Sequence, residues 1–371
     1  MVLSLLDTPI YVLIWHTSHL FMQLRTMGKK PECGKIISRM NTKNEAIKGT
    51  PPKLIPSFVS GFNVVTSHVQ LIIFPIIMDL LIWFAPRVRV KSLVEPLWLN
   101  FVQTLGQMSA PEMSDLLNST KQLWTSTVER FNLLSMLRTF PIGIPSLLAG
   151  RGILESPFGN SQIYELPSFL AAAAMLLFLL LVGIAGGSLF FSEIARLSCK
   201  ENYSFSLKKF SNQFLQTVAF TFGVYLILLI ISMPIGIVIS LISLISPTFT
   251  QIAIILVSLL LIWLLIPFVF SLHGIYTYQQ NVFVATFNSV RLVRFFLPAT
   301  GIFLLFSILI SEGLDLLWSS PPETSWLLLV GILGHAFIVT GLITSSFIYY
   351  RGGVRWMNEN LMRISESLPT S

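Results

Sequence analysis

Long apolar runs separated by short polar breaks dominate the chain, and six of the runs reach or approach the length of a membrane crossing. A hydrocarbon layer of ~30 Å takes roughly 20 helical residues. The candidate spans are "HVQLIIFPIIMDLLIWFAP" at 68–86, with a start that can extend back to 61, then 167–194, 216–245, 251–274, 296–312 and 325–350. Pro75, Pro234, Pro267 and Pro298 fall within or at the starts of spans, where membrane helices tolerate proline. The pattern predicts an all-α, polytopic transmembrane helical bundle of about six spans, the first in 61–86 and five more in 167–350.

Between the first span and the second lie residues 87–166, too polar to cross and too patterned for a tether. In "SAPEMSDLLNSTKQLWTSTVERFNLLSMLRTF", 109–140, Leu116, Leu117, Trp124, Val128, Phe131, Leu134 and Leu137 recur at mostly three- and four-residue steps. That predicts one amphipathic helix of about 28 residues, opened by Ser109 or Ala110 with Pro111 in its first turn. Two apolar pieces flank it, 93–105 and "FPIGIPSLLAG" at 140–150, the latter too short to span. The expectation is an amphipathic helical extracytoplasmic cap lying against the membrane face. Residues 1–24 predict an interfacial helix, or a seventh span, followed by a basic segment to residue 60. A tail follows 350.

Composition strengthens the membrane assignment: 53% of residues are hydrophobic and only 11% charged, against about 25% charged in soluble domains. Mean hydropathy is +0.75. The net charge of +7 points to anionic lipid headgroups on the cytosolic side rather than nucleic acid, because the basic residues flank hydrophobic segments. Arg196, Lys200, Lys208, Lys209, Arg291, Arg294, Arg351, Arg355 and Arg363 fall on one side of the alternating topology, while 246–250 and 313–324 hold no Lys or Arg. The positive-inside rule then makes both termini cytosolic in a bacterial cytoplasmic membrane. Arg87, Arg89 and Lys91 dissent, lying on the side assigned as outer.

Candidate chemistry is sparse. Asp79 stands inside a span, where a charge costs at least ~2.5–3.5 kcal/mol; it reads as a packing hydrogen bonder or as a relay or substrate contact. His335 is its possible partner, and His273 at the end of the fourth span reads as interfacial. Glu193 and Arg196 are spaced for an i,i+3 pair, Arg291 and Arg294 for headgroup anchoring. Glu312 and Asp315 read as a solvated helix end. Gly183, Gly186 and Gly187 allow close helix approach. The two cysteines, Cys33 and Cys199, cannot build a disulfide framework, and no haem, zinc, nucleotide or hydrolase motif occurs. No cofactor is therefore expected.

In 266–310, Pro267, Ala285, Ser289, Arg291 and Arg294 form a pattern of span, short amphipathic helix and second span. It resembles a loose group of bacterial integral membrane proteins that includes the membrane domain attached to some glycerophosphodiester phosphodiesterases. Residues 61–88 are similar to the first span of proteins from filamentous green bacteria and their relatives. The resemblance implies a helical membrane domain and no activity. The sequence thus leads to a non-catalytic accessory, scaffold or assembly component with a membrane-protein partner or a second copy. The alternative is a transporter or permease for a small or lipid-like substrate, and the weaker one an intramembrane enzyme.

Overall fold

In the computed structural model, which describes residues 52–108, 114–199, 206–243, 246–295 and 297–367, the chain is an all-α polytopic bundle. Among the described residues, five helical stretches are long and apolar enough to cross a membrane: Phe169–Ser198, Leu207–Ser243, Thr248–Tyr278, Leu297–Trp318 and Leu328–Asn360. A sixth crossing is a bent pair, Leu54–Ser67 with Val69–Phe84, turned through 93°. The expectations for residues 1–51 lie outside the described residues.

The first span differs from its expectation in start and in shape. Helix α1 (Leu54–Ser67) begins inside the segment assigned to the N-terminal region, and α2 (Ile73–Phe84) follows a 3-10 turn at Val69–Ile72. Three consecutive side chains end α1 by turning back on its own carbonyls. Thr66 Oγ1 and Ser67 Oγ donate to Asn63 O at 3.0 and 2.8 Å, and His68 Nδ1 lies 3.1 Å from Val64 O. Such local bonds compete with helix continuation. Pro75 sits in the first turn of α2, where its missing N–H costs nothing. The weakly apolar residues of α1 are contact residues. Gly61 packs directly on Ser345, Phe62 covers Gly341, and Phe58 stacks on Phe303 at 4.9 Å.

The region after α2 is not the all-helical cap expected. Strand β1 (Arg87–Arg89) pairs in parallel with β4 (Ile163–Glu165), and β2 (Glu155–Ser156) with β3 (Gly159–Asn160) in a small hairpin. Helices α3 (Lys91–Met108) and α4 (Ser114–Arg130) pair through Trp98 stacked on Trp124 at 4.5 Å. The long helix predicted over 109–140 therefore ends at Arg130; residues 109–113, with Pro111, lie outside the described residues. Asn132 is the reason for the stop. Its side chain accepts from Leu134 N and Val88 N at 3.1 and 3.2 Å, an Asx-type turn that also ties the cap to β1. Leu134 and Leu137 continue in a 3-10 turn (Leu133–Leu137), whose period is three.

The segment 131–150 does not rest on the membrane face. It enters the bundle between α2 and α5 (Phe169–Ser198), with Leu133, Leu137, Leu147 and Leu148 buried against Met78, Ile82 and Leu179. A Cβ on Gly183 would stand 2.5 Å from Leu137 O, and one on Gly187 3.0 Å from Gly143 Cα. At 1.5 Å per residue these glycines lie about 21 and 27 Å along α5 from Phe169, so the segment reaches the middle of the span. Ile142 at its tip shares a cluster with Val65 and Leu71, which flank the break between α1 and α2. Non-helical backbone survives at this depth because protein buries it.

Beyond α5, helix α6 (Leu207–Ser243) buries Gln213, Thr217, Phe220 and Thr221, all in its first half. Its second half and α7 (Pro247–Leu265) pack on each other and present Met233, Ile237, Leu256 and Trp263 outward at 61–68% exposure. The hydroxyls of Ser232, Ser240 and Ser258 donate back to their own helix, which suits a lipid-facing hairpin. In contrast, α8 (Ser271–Tyr278) is buried from Ser271 to Thr277. Gln279, at φ 53°, turns the chain into the amphipathic α9 (Val282–Phe295). Ser289 locks this corner: its hydroxyl donates to Pro267 O at 2.7 Å and accepts from Phe270 N at 3.1 Å. Helices α10 (Leu297–Trp318) and α11 (Leu328–Ser367) complete the bundle.

Candidate functional site

Where α2 and the inserted segment meet, Asp79 is fully buried and committed. Its Oδ1 accepts from Ser146 Oγ at 2.5 Å and from Leu148 N at 3.0 Å, and its Oδ2 from Leu147 N at 3.1 Å. Ser146 Oγ in turn accepts from Ala149 N at 3.0 Å. The carboxylate thus caps the ascending limb of the segment, as a helix cap satisfies main-chain donors. Asp79 lies within electrostatic reach of His335 but is not hydrogen-bonded to it. The expected pairing is replaced by another: His335 Nδ1 faces Asp315 Oδ1 at 2.6 Å, joining α11 to α10. Asp315 is therefore no solvated helix end. Gly331 and Gly334 let Trp318 press onto α11 beside it, and the buried Nε2 of His335 has no hydrogen-bond partner among the described residues.

His273 is buried as well, not interfacial, and its Nε2 meets Ser346 Oγ at 2.7 Å. Next to it Tyr276 links three helices, its hydroxyl 2.7 Å from Thr217 Oγ1 and donating to Ser188 Oγ at 2.9 Å. The expected Glu193–Arg196 pair is present at 2.5 Å. Arg291 is half-buried on α9, and burial holds its guanidinium below the usual arginine range. Arg294 is exposed at the end of the same helix.

At the cap, Arg87 is buried and donates to Glu129 O, while Arg89 bonds Glu165 at 2.7 Å. Glu323 accepts from Leu154 N at 2.9 Å and stands 3.7 Å from Arg130. Two of the three basic residues that dissent from the topology are thus held by cap partners and are not free to meet headgroups. Sequence reasoning missed these partners because half of them are main-chain groups and the others lie far along the chain, and it missed Arg138, which the 3-10 turn carries down to the level of Gly183.

The arrangement supports hydrogen-bonded packing in the interior. Among the described residues, no three His, Cys, Asp or Glu converge to hold a metal ion. Fold and site together define a multi-pass integral membrane protein with an inserted, non-helical segment. Comparison with protein-family models, curated proteins and solved structures finds no match to this chain.

Proposed function

We propose that the protein is a non-catalytic accessory or scaffold component of a bacterial cytoplasmic membrane complex, with its cap on the outer side and both termini cytosolic. The observation that carries this reading is the saturation of Asp79. An acid needed to move a proton or grip a substrate must exchange partners, whereas this one holds three donors of its own chain. The apolar hairpin of α6 and α7 leaves ample surface for a membrane partner, as does the α3–α4 pair of the cap. Extraction in mild detergent, followed by mass measurement of the purified particle, tests it. A partner at fixed stoichiometry is expected, and a particle that is monomeric under every mild condition would sink the proposal.

The break between α1 and α2, faced by the inserted segment, favours a second reading, a transporter of a small or lipid-like substrate. Discontinuous helices that meet near a midplane build transporter binding sites. On that reading Asp79→Asn abolishes substrate flux in proteoliposomes.

A further inference from the structure

Arg138 stands on the descending limb of the inserted segment, about one helical turn short of its tip, between two residues that touch α5: Leu137 O and Thr139 Cγ2 would lie 2.5 and 2.7 Å from a Cβ on Gly183. A second helix fixes the same depth. The Tyr225 hydroxyl meets the main-chain N–H of Phe140, and Tyr225 is the midpoint of α6, about 27 Å along it from either end. Yet Arg138 is exposed, and its guanidinium has no hydrogen bond or ion pair among the described residues. A permanent charge at that depth demands water or an anion.

We propose that Arg138 binds the phosphate of an anionic membrane phospholipid whose acyl chains lie along the outward half of α6. That half carries Leu226, Leu229, Ile230 and Met233 at 57–68% exposure and buries none of its residues. It offers an apolar wall beginning beside Tyr225. The planar guanidinium can take two phosphate oxygens at once. The site stands on either reading of the protein's role.

Native mass spectrometry of the full-length protein in detergent tests the proposal, with phosphatidylglycerol, phosphatidylcholine of the same chains, and inorganic phosphate as probes. Wild type is expected to retain phosphatidylglycerol at least tenfold better than phosphatidylcholine. Arg138→Gln should lose that preference, while Arg138→Lys and the exposed cap control Lys121→Gln keep it. Should Arg138→Gln not fold, the wild-type headgroup comparison decides alone. Absence of an anionic preference in wild type, or its persistence in folded Arg138→Gln, overturns the proposal. Displacement of the lipid by millimolar inorganic phosphate assigns the site to a free anion and overturns the lipid assignment.

Discussion

At the scale of residues, Asp79 is informative because its partners are so unlike one another: a hydroxyl and two main-chain N–H groups, 67 to 69 positions further along the chain. Replacing it by Ala would orphan those buried donors, each at about 1–3 kcal/mol. Asp79→Asn keeps one carbonyl acceptor but turns an amide N–H toward a main-chain N–H, so it should cost less than Ala and more than nothing. Thermal unfolding of the detergent-purified protein checks the order wild type, Asn, Ala; a Tm for Asp79→Ala equal to wild type would remove the capping role. The charge inside the span was plain in the sequence. Its bonds were not, because main-chain donors have no side-chain signature.

At the scale of elements, the cap is clasped to the bundle by a three-residue parallel pairing in which Arg89 stands opposite Glu165. Burial works to raise the Glu165 carboxyl, but the Ser92 N–H and the Arg89 guanidinium outweigh it and hold it below the usual glutamate range. A lowered folded value means that this stability is fully present above the ordinary glutamate range. It is lost as pH falls through the folded value. The acid limb of a stability profile should therefore shift in Glu165→Gln, which is expected to lose the pH dependence from this group and to be less stable than wild type at neutral pH. Identical profiles for the two proteins would show that the clasp contributes nothing.

The elements also show what a hydropathy pattern conceals. Phe169–Ser198 and Leu328–Asn360 were legible because their apolar runs exceed a crossing. The break at His68 was written in Thr66, Ser67 and His68, but a window that averages over twenty positions dilutes three polar residues. The segment 140–150 read as a surface piece because it has two prolines and is short. Gly183 and Gly187, which in sequence suggest close approach of a second helix, instead accommodate the backbone of the inserted segment. The repeat of Phe131, Leu134 and Leu137 is equally visible, but three-residue steps suit an α-helix face as well as the 3-10 turn that forms at Leu133–Leu137.

At the scale of the whole molecule, the proposed orientation makes a simple demand. Ser320 is exposed in the connection between α10 and α11, and Lys208 is exposed at the start of α6, at opposite ends of the crossings. In intact spheroplasts a membrane-impermeant maleimide should label Ser320→Cys, and Lys208→Cys only after permeabilisation, both in a background with Cys33 and Cys199 replaced by Ser. The reverse pattern would invert the topology and with it the positive-inside assignment. Arg87 and Arg89 do not oppose the proposed sense, since Glu129, Glu165 and the buried cap already hold them.

The pairing of α1 with α11 carries a consequence for how the chain is made. Gly61 and Phe62 are fitted to Ser345 and Gly341, so the first described helix waits for the one synthesised after all the other described helices. The inserted segment waits with it, because Leu328 and Ile332 of α11 complete the cluster that holds Leu133 and Leu148. Until α11 leaves the ribosome, the polar backbone of 139–146 has no finished enclosure at membrane depth. Insertion of the crossings and closure of the interior are therefore separate events, and the second follows the synthesis of α11.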